Sequence, residues 1–260
     1  MGLAPATQRI LQILCARIDL GLGRGARMRG RWGFFLHGMG GAAMAMGLGA
    51  CARMPGPEAG GTPVAQVAAT GFAAVQAGGT ARGAAVAFDE CHVMTCAHVL
   101  PGDDAVVLRR GPDGAEVRPL LLRRSRRMDL AVMRVPAGFL LPPPQATDAP
   151  LEGEEVWAAG APALGSPVAR GVVEAPDAVM PGFGRGFTAR MPALMGYSGG
   201  PVVDAGGALM GLTSALPGGQ GAGILAFLAG ADLDGLVRAE RAVFVLSIRR
   251  AADEARRLLV

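Results

Sequence analysis

From Gly83 onward the chain runs in short apolar stretches separated by breaks bearing Gly, Pro and Asp. Stretches this short, bounded by turn signals, predict strands rather than helices. Gly83 to Phe88 and His92 to Thr95 predict two strands around a turn at Asp89-Glu90, after which the chain bends at His98. Ala105 to Arg109 and Val117 to Leu122 predict another pair, divided by a turn at Gly111-Pro112-Asp113-Gly114, and Leu130 to Val135 follows. Leu141-Pro142-Pro143-Pro144 cannot supply the donors of a central ladder and marks the best boundary between two halves. Beyond it, Glu155 to Ala159, Pro167 to Val173, Pro201 to Val203, Leu209 to Ser214 and Gly223 to Phe227 predict further strands. Ala231 to Ala239 predicts a helix with Asp232 near its start. Val243 to Ile248 is apolar, and the arginine- and acid-bearing end to Leu259 either covers a barrel or continues helically.

The chain before Gly83 has a different character. Arg53 to Thr80 is rich in Gly, Ala and Pro without sustained periodicity, and predicts a tether. Residues 1–50 carry six arginines against one acid, Asp19, while the remainder holds 19 arginines, no lysine and 20 acids. The formal charge of +4 therefore belongs to the leader. No basic folded region remains to bind nucleic acid. Arg27, Arg29 and Arg31 precede a mostly apolar stretch from Trp32 to Ala50, interrupted by His37. That layout fits a signal peptide with a basic n-region, and its glycines make it marginal as a permanent span. It ends in Leu48-Gly49-Ala50-Cys51, which resembles a bacterial lipobox, whose cysteine becomes the lipidated first mature residue. Two other readings stay open: cleavage near Ala52 to give a soluble exported protein, and a retained N-terminal helix. Met28 would make a more ordinary start than Met1, and Cys15 would then have no role.

The candidate chemistry centres on Gly196-Tyr197-Ser198-Gly199-Gly200-Pro201. A serine hydroxyl is a weak nucleophile near neutral pH and needs an adjacent base, itself held by a buried carboxylate. His98, in Thr95-Cys96-Ala97-His98-Val99, and Asp129, in Asp129-Leu130-Ala131-Val132, can fill those roles. The same serine segment fits the nucleophile elbow of α/β-hydrolases, where acid and histidine follow the serine. The histidines here are His37, His92 and His98, all before Ser198, which argues against that class. Metal chemistry has weak support, since the chain lacks an HExxH pattern and its acids are dispersed. His92 is the internal rival of His98 and is expected to be a surface or packing residue. Asp129 follows the run Arg123, Arg124, Arg126 and Arg127, which is expected to be solvated. Cys91 and Cys96 would face opposite ways on one strand, beyond bridging distance, so isolated thiols are the preferred reading unless a turn intervenes.

Taken together, these segments resemble the trypsin-like serine protease superfamily, and more closely its bacterial HtrA-like branch. Gly83 to Phe88, Val93 to Val99, Asp129 to Val132, Gly196 to Pro201, Gly211 to Ser214 and Gly223 to Phe227 carry the resemblance. It implies an all-β fold of two packed six-stranded antiparallel Greek-key β-barrels with a C-terminal helix. The implied layout is a leader and lipobox over 1–51, a flexible linker over 52–79, a protease domain over 80–238 with its barrels divided near 141–150, and a tail over 239–260. So short a remainder leaves no room for a PDZ-like domain. The resemblance further implies a serine endopeptidase with the triad His98, Asp129 and Ser198 and an oxyanion hole from the N–H groups of Gly196 and Ser198. Pro192, Ala193, Leu194, Met195, Thr213, Ser214 and Ala215 would line the substrate pocket, with Gly223 to Ala226 on another wall. None of these is an acid, so small or medium apolar P1 residues are expected rather than Arg or Lys. Polypeptides are the expected partners, with a lipid anchor, no nucleic acid, no metal and no cofactor. Three departures stand out: Tyr197 replaces the usual Asp or Asn, Val99 replaces the trypsin-like cysteine, and a trypsin-like activation site is missing. The first leaves a catalytically inactive, peptide-binding relative as the alternative.

Overall fold

The computed structural model describes residues 62–100, 102, 105–111, 113–162, 166–215 and 240–260. The leader with Cys51, the expected strand Gly223 to Phe227 and the expected helix Ala231 to Ala239 lie outside the described residues. Regular structure begins earlier than the sequence pattern predicts. A short helix α1 (Pro63–Gln66) is capped by Thr62, whose hydroxyl accepts from the Ala65 N–H at 3.2 Å. Pro63 stands at the first helical position, where its missing donor costs little. A π-helical turn over Val67–Gly71 leads into strand β1 (Phe72–Ala77). Thus the end of the segment read as a tether is a strand of the first sheet. It is alanine-rich and almost wholly buried, so no alternation of polar and apolar residues announces it.

Six more strands complete the first sheet: β2 (Thr80–Ala87), β3 (His92–Thr95), β4 (Val106–Arg110), β5 (Glu116–Val117), β6 (Leu120–Arg124) and β7 (Ala131–Arg134). Their order is β5-β4-β1-β2-β3-β7-β6, with every pairing antiparallel. This corrects the expected pair of six-stranded barrels. The first half is an open seven-stranded sheet with β5 and β6 as its edges. Arg118-Pro119 divides these two edges, β5 is only two residues long, and proline has no N–H to give to a ladder.

The second half is a closed six-stranded barrel in the order β10-β13-β12-β11-β8-β9. Its strands are β8 (Glu155–Ala159), β9 (Val168–Met180), β10 (Gly184–Met191), β11 (Pro201–Val203), β12 (Leu209–Ala215) and β13 (Arg241–Ser247). Strand β10 is invisible in the sequence pattern because Gly184 and Gly186 interrupt it. At Gly186 a Cβ would stand 1.8 Å from the Val245 carbonyl oxygen, so glycine here reflects close strand packing rather than a loop. After β13 the chain continues as helix α2 (Ile248–Leu259), which settles the alternatives left open for the C-terminal end.

Each half has its own apolar interior, with Val75, Val93, Leu108 and Met133 in the first and Val156, Phe187 and Val245 in the second. A further cluster joins them: Val86, Met94, Leu130 and Val132 meet Val203, Leu212, Phe244 and Leu246, with Ile248 and Ala251 of α2. Strand β3 therefore buries both faces, Val93 inward and Met94 toward the barrel. Cys96 is a free and fully buried thiol, as expected, and is not bridged to Cys91, which does not share that state. The reading of both as isolated thiols thus holds for Cys96 alone.

Helix α2 is tied to the first sheet through Glu254, which accepts from Ser125 Oγ at 2.5 Å and from Arg257 Nε at 2.8 Å. The Arg257 guanidinium, against the opposing effect of burial and helped by Ser125, holds the Glu254 carboxyl down at about 2. Because the folded value lies below the unfolded one, its stabilising contribution is complete above about 4.5 and is lost as pH falls through about 2. Glu254→Gln should lower Tm at neutral pH and flatten the fall of Tm across that acid range. Thermal unfolding followed by circular dichroism as a function of pH checks it.

Candidate active site

Strands β3 and β7 are antiparallel with Thr95 opposite Ala131, so residues just after β3 and just before β7 leave the same end of the sheet. Cys96 leads into a 3-10 turn over Ala97–Val99, closed by the Val99 N–H on the Cys96 carbonyl at 3.2 Å. The turn presents His98 with 37% of its side chain exposed, beside the buried Asp129. His98 Nδ1 lies 2.6 Å from Asp129 Oδ2, and the His98 backbone N–H donates to Asp129 Oδ1 at 2.9 Å. Ser214 Oγ, from β12, donates to Oδ2 at 3.1 Å. An ionised carboxylate only accepts, so Nδ1 carries the proton and Nε2 is left as the acceptor. Burial by itself would raise the Asp129 carboxyl. The hydrogen bonds from His98 and Ser214 outweigh burial and hold the carboxyl below its ordinary value. Phe183 meets the imidazole edge-on at 6.4 Å, and its carbonyl accepts the Asp129 N–H at 3.3 Å.

Ser198 comes from the barrel. Pro201 of β11 pairs with Leu212 of β12, and the chain just before Pro201 continues alongside Thr213. Gly199 N–H donates to the Thr213 carbonyl at 2.7 Å, and Thr213 N–H donates to the Gly200 carbonyl at 2.9 Å. The Ser198 carbonyl in turn accepts the Ala84 N–H of β2 at 2.8 Å. Gly199 has a φ of +82°, and a Cβ there would stand 2.2 Å from the Ala84 oxygen and 2.4 Å from Thr95 Oγ1. No other residue type fits so close to the first sheet. These contacts set the Ser198 backbone against β2 and against the residues flanking His98. No hydrogen bond joins Ser198 Oγ to His98 Nε2 in this structure; such contacts are often long until substrate binds. Among the described residues neither the Gly196 nor the Ser198 N–H has an intramolecular acceptor. The Tyr197 ring does not project into the cleft; it is 2% exposed and belongs to the barrel interior.

Of the residues expected to line a substrate pocket, Ala193, Thr213 and Ser214 are buried, Pro192 and Leu194 half-buried, and Met195 is 69% exposed. Ala215 ends β12, and Gly223 to Ala226 lie outside the described residues. The sequence offered no hint that the Ser214 hydroxyl reaches Asp129. Only the register of β12 beyond Pro201 reveals it. His92 is buried away from Ser198 and its Nδ1 meets both Asp89 carboxylate oxygens at 2.9 Å. Among the described residues two groups have ligand atoms close enough for a metal, Asp89-Cys91-His92 and Cys96-His98-Asp129. In both, the imidazole Nδ1 is already paired with the carboxylate of the group, at 2.9 Å from Asp89 and 2.6 Å from Asp129.

Residues 69–212 match the family model of the trypsin-like peptidase domain. No curated protein sequence matches the chain. Among solved structures, the HtrA-type protease AlgW with a tripeptide is 21% identical with a TM-score of 0.60, over 76% of this chain and 62% of that one. The serine endoprotease from Yersinia pestis is 20% identical with a TM-score of 0.55, over 78% of this chain and 68% of that one. An inactive serine-to-alanine mutant of Rv3671c from M. tuberculosis H37Rv is 21% identical with a TM-score of 0.56, over 79% and 95% of the two chains. At these identities the likeness is one of fold, and the chain spans less than two thirds of the AlgW chain. The short His98–Asp129 bond should give a strongly deshielded imidazole proton in NMR spectra, lost in Asp129→Asn without change in the strand signature by circular dichroism. A resonance that survives the substitution would break the pairing.

Proposed function

The chain belongs to the trypsin-like peptidase domain family, and on that footing we propose that it is a serine endopeptidase of the HtrA-like bacterial kind. In this reading Ser198 Oγ attacks the scissile carbonyl while His98 Nε2 takes its proton. Asp129, bonded to the other ring nitrogen, keeps the tautomer and stabilises the imidazolium that forms. The N–H groups of Gly196 and Ser198 receive the charge that develops on the carbonyl oxygen. His98 then returns its proton to the leaving amine, and water, activated by the same imidazole, releases the acyl group from Ser198. The observation that carries this reading is the 2.6 Å His98–Asp129 bond, formed against the loop that bears Ser198.

Polypeptides are the substrates we assign, and AlgW bound to a tripeptide or a decapeptide supports that choice. None of Pro192 to Met195 or Thr213 to Ala215 is an acid, which favours small or medium apolar P1 residues over Arg or Lys. The pocket discriminates modestly, since one methylene changes selectivity by only about 10- to 200-fold. We assign the protein to the exported compartment, with Cys51 as its lipid attachment point.

A second reading, a catalytically silent peptide-binding module, draws on the missing hydrogen bond between Ser198 and His98. Labelling with a serine-directed phosphonate separates the two. Wild-type protein should be labelled and should cleave an unfolded-protein panel. Ser198→Ala should lose labelling and about six orders of magnitude in kcat while keeping its fold. Unlabelled wild type would favour the silent module. Fatty-acid incorporation in cells should vanish in Cys51→Ala, and incorporation that persists would reject Cys51 as the acceptor.

A further inference from the structure

The chain has a single tyrosine, and it sits between the two N–H groups assigned above to the oxyanion hole. Its surroundings are built around it. Gly160 faces it so closely that a Cβ there would stand 2.7 Å from Tyr197 Cα, 2.8 Å from Cγ and 2.9 Å from Cδ1. The phenol hydroxyl donates to the Ser166 carbonyl, in the connection between β8 and β9. The same connection holds the neighbouring backbone: Ala161 N–H donates to the Gly196 carbonyl at 3.0 Å. At Gly196, with a φ of +106°, the space for a Cβ is taken by the Ala161 oxygen at 2.5 Å and Pro162 Cα at 2.7 Å. Burial pushes the tyrosine hydroxyl well above its ordinary value, so it remains a donor.

Tyr197 thus lies between two glycines at positive φ, Gly196 and Gly199, in a stretch whose backbone has unusual freedom. Oxyanion donors help only when their directions are set before the charge develops. A segment hinged by glycine at both ends does not fix those directions by itself. An aromatic anchor sunk in the barrel, with its hydroxyl tied to a second loop, can.

We propose that Tyr197 is a positioning residue that holds the Gly196 and Ser198 N–H groups in register by latching their loop onto the β8–β9 connection through Gly160 and Ser166. This deepens the serine-endopeptidase reading and rests on it. Tyr197 touches neither substrate nor the reacting atoms; it acts through the backbone on either side. Any partner that shifts the β8–β9 connection would move the oxyanion donors with it.

The test uses the full-length protein, a peptide substrate with an apolar P1 residue, and a peptide boronic acid of the same sequence, whose adduct is tetrahedral. Tyr197→Phe keeps the ring and removes only the hydroxyl. It should lower kcat about tenfold with KM retained, weaken the boronic acid by the same factor, and lower Tm by only a few degrees. Gly160→Ala, which pushes on the ring from the other side, should show the same split between kcat and KM. A wild type that cleaves and takes the phosphonate, with a Phe variant equal to it in kcat and boronic acid affinity, would overturn the latch alone. A wild type that neither cleaves nor labels would overturn the endopeptidase reading, and the latch with it.

Discussion

One buried carboxylate organises the site and ties the two halves of the fold together. An ionised group out of water must be compensated by donors or it will neutralise or move. Asp129 receives its donors from both sides: the ring and backbone of His98 from the first sheet, and Ser214 from the barrel. Its position is therefore set by the same contact that brings β12 against the end of β3. The catalytic orientation assigned to His98 and the packing of the two halves are two aspects of one hydrogen-bonded centre.

Around that centre, space is rationed at the scale of single atoms. Ser198 offers its carbonyl to Ala84, and Gly199 lies flat against Ala84, Thr95 and Cys96. Cys96 fills the remaining gap, with its thiol directed at the Thr213 carbonyl at 3.3 Å. A larger residue at position 96 would press on the strand that carries Ser214, and a larger one at 199 would push the Ser198 loop off the first sheet. The apolar cluster of Met94, Leu130, Val132 and Leu212 lies behind these contacts, which explains why so polar a site can sit on so rigid a base.

Much of this was legible in the sequence because chemistry concentrates in short strings. The segments around His98 and Asp129 place two polar side chains that meet in the fold, and the runs His92 to Thr95 and Pro201 to Val203 coincide with β3 and β11. What escaped did so for physical reasons. Strand β1 is half alanine and almost wholly buried, so it lacks the alternation by which a half-exposed strand is known. Strand β10 was masked by glycines that serve strand-to-strand contact. Closure of a sheet depends on whether two edges meet, which no local pattern encodes. The bond from Ser214 to Asp129 spans 85 positions and follows from register alone. The Tyr197 ring could have gone either way from its loop; the decision rests with Gly160, a residue whose sequence context advertises nothing.

The unclosed first sheet has a further consequence. A barrel hides its rims, whereas this sheet presents two, and exposed rims invite neighbouring molecules to add strands. One rim is only two residues long, too short to template a strand. The other bears Arg123 and Arg124, both exposed, the kind of charged edge that does not readily take a further strand. Charge on one rim and brevity on the other both oppose the addition of a further strand.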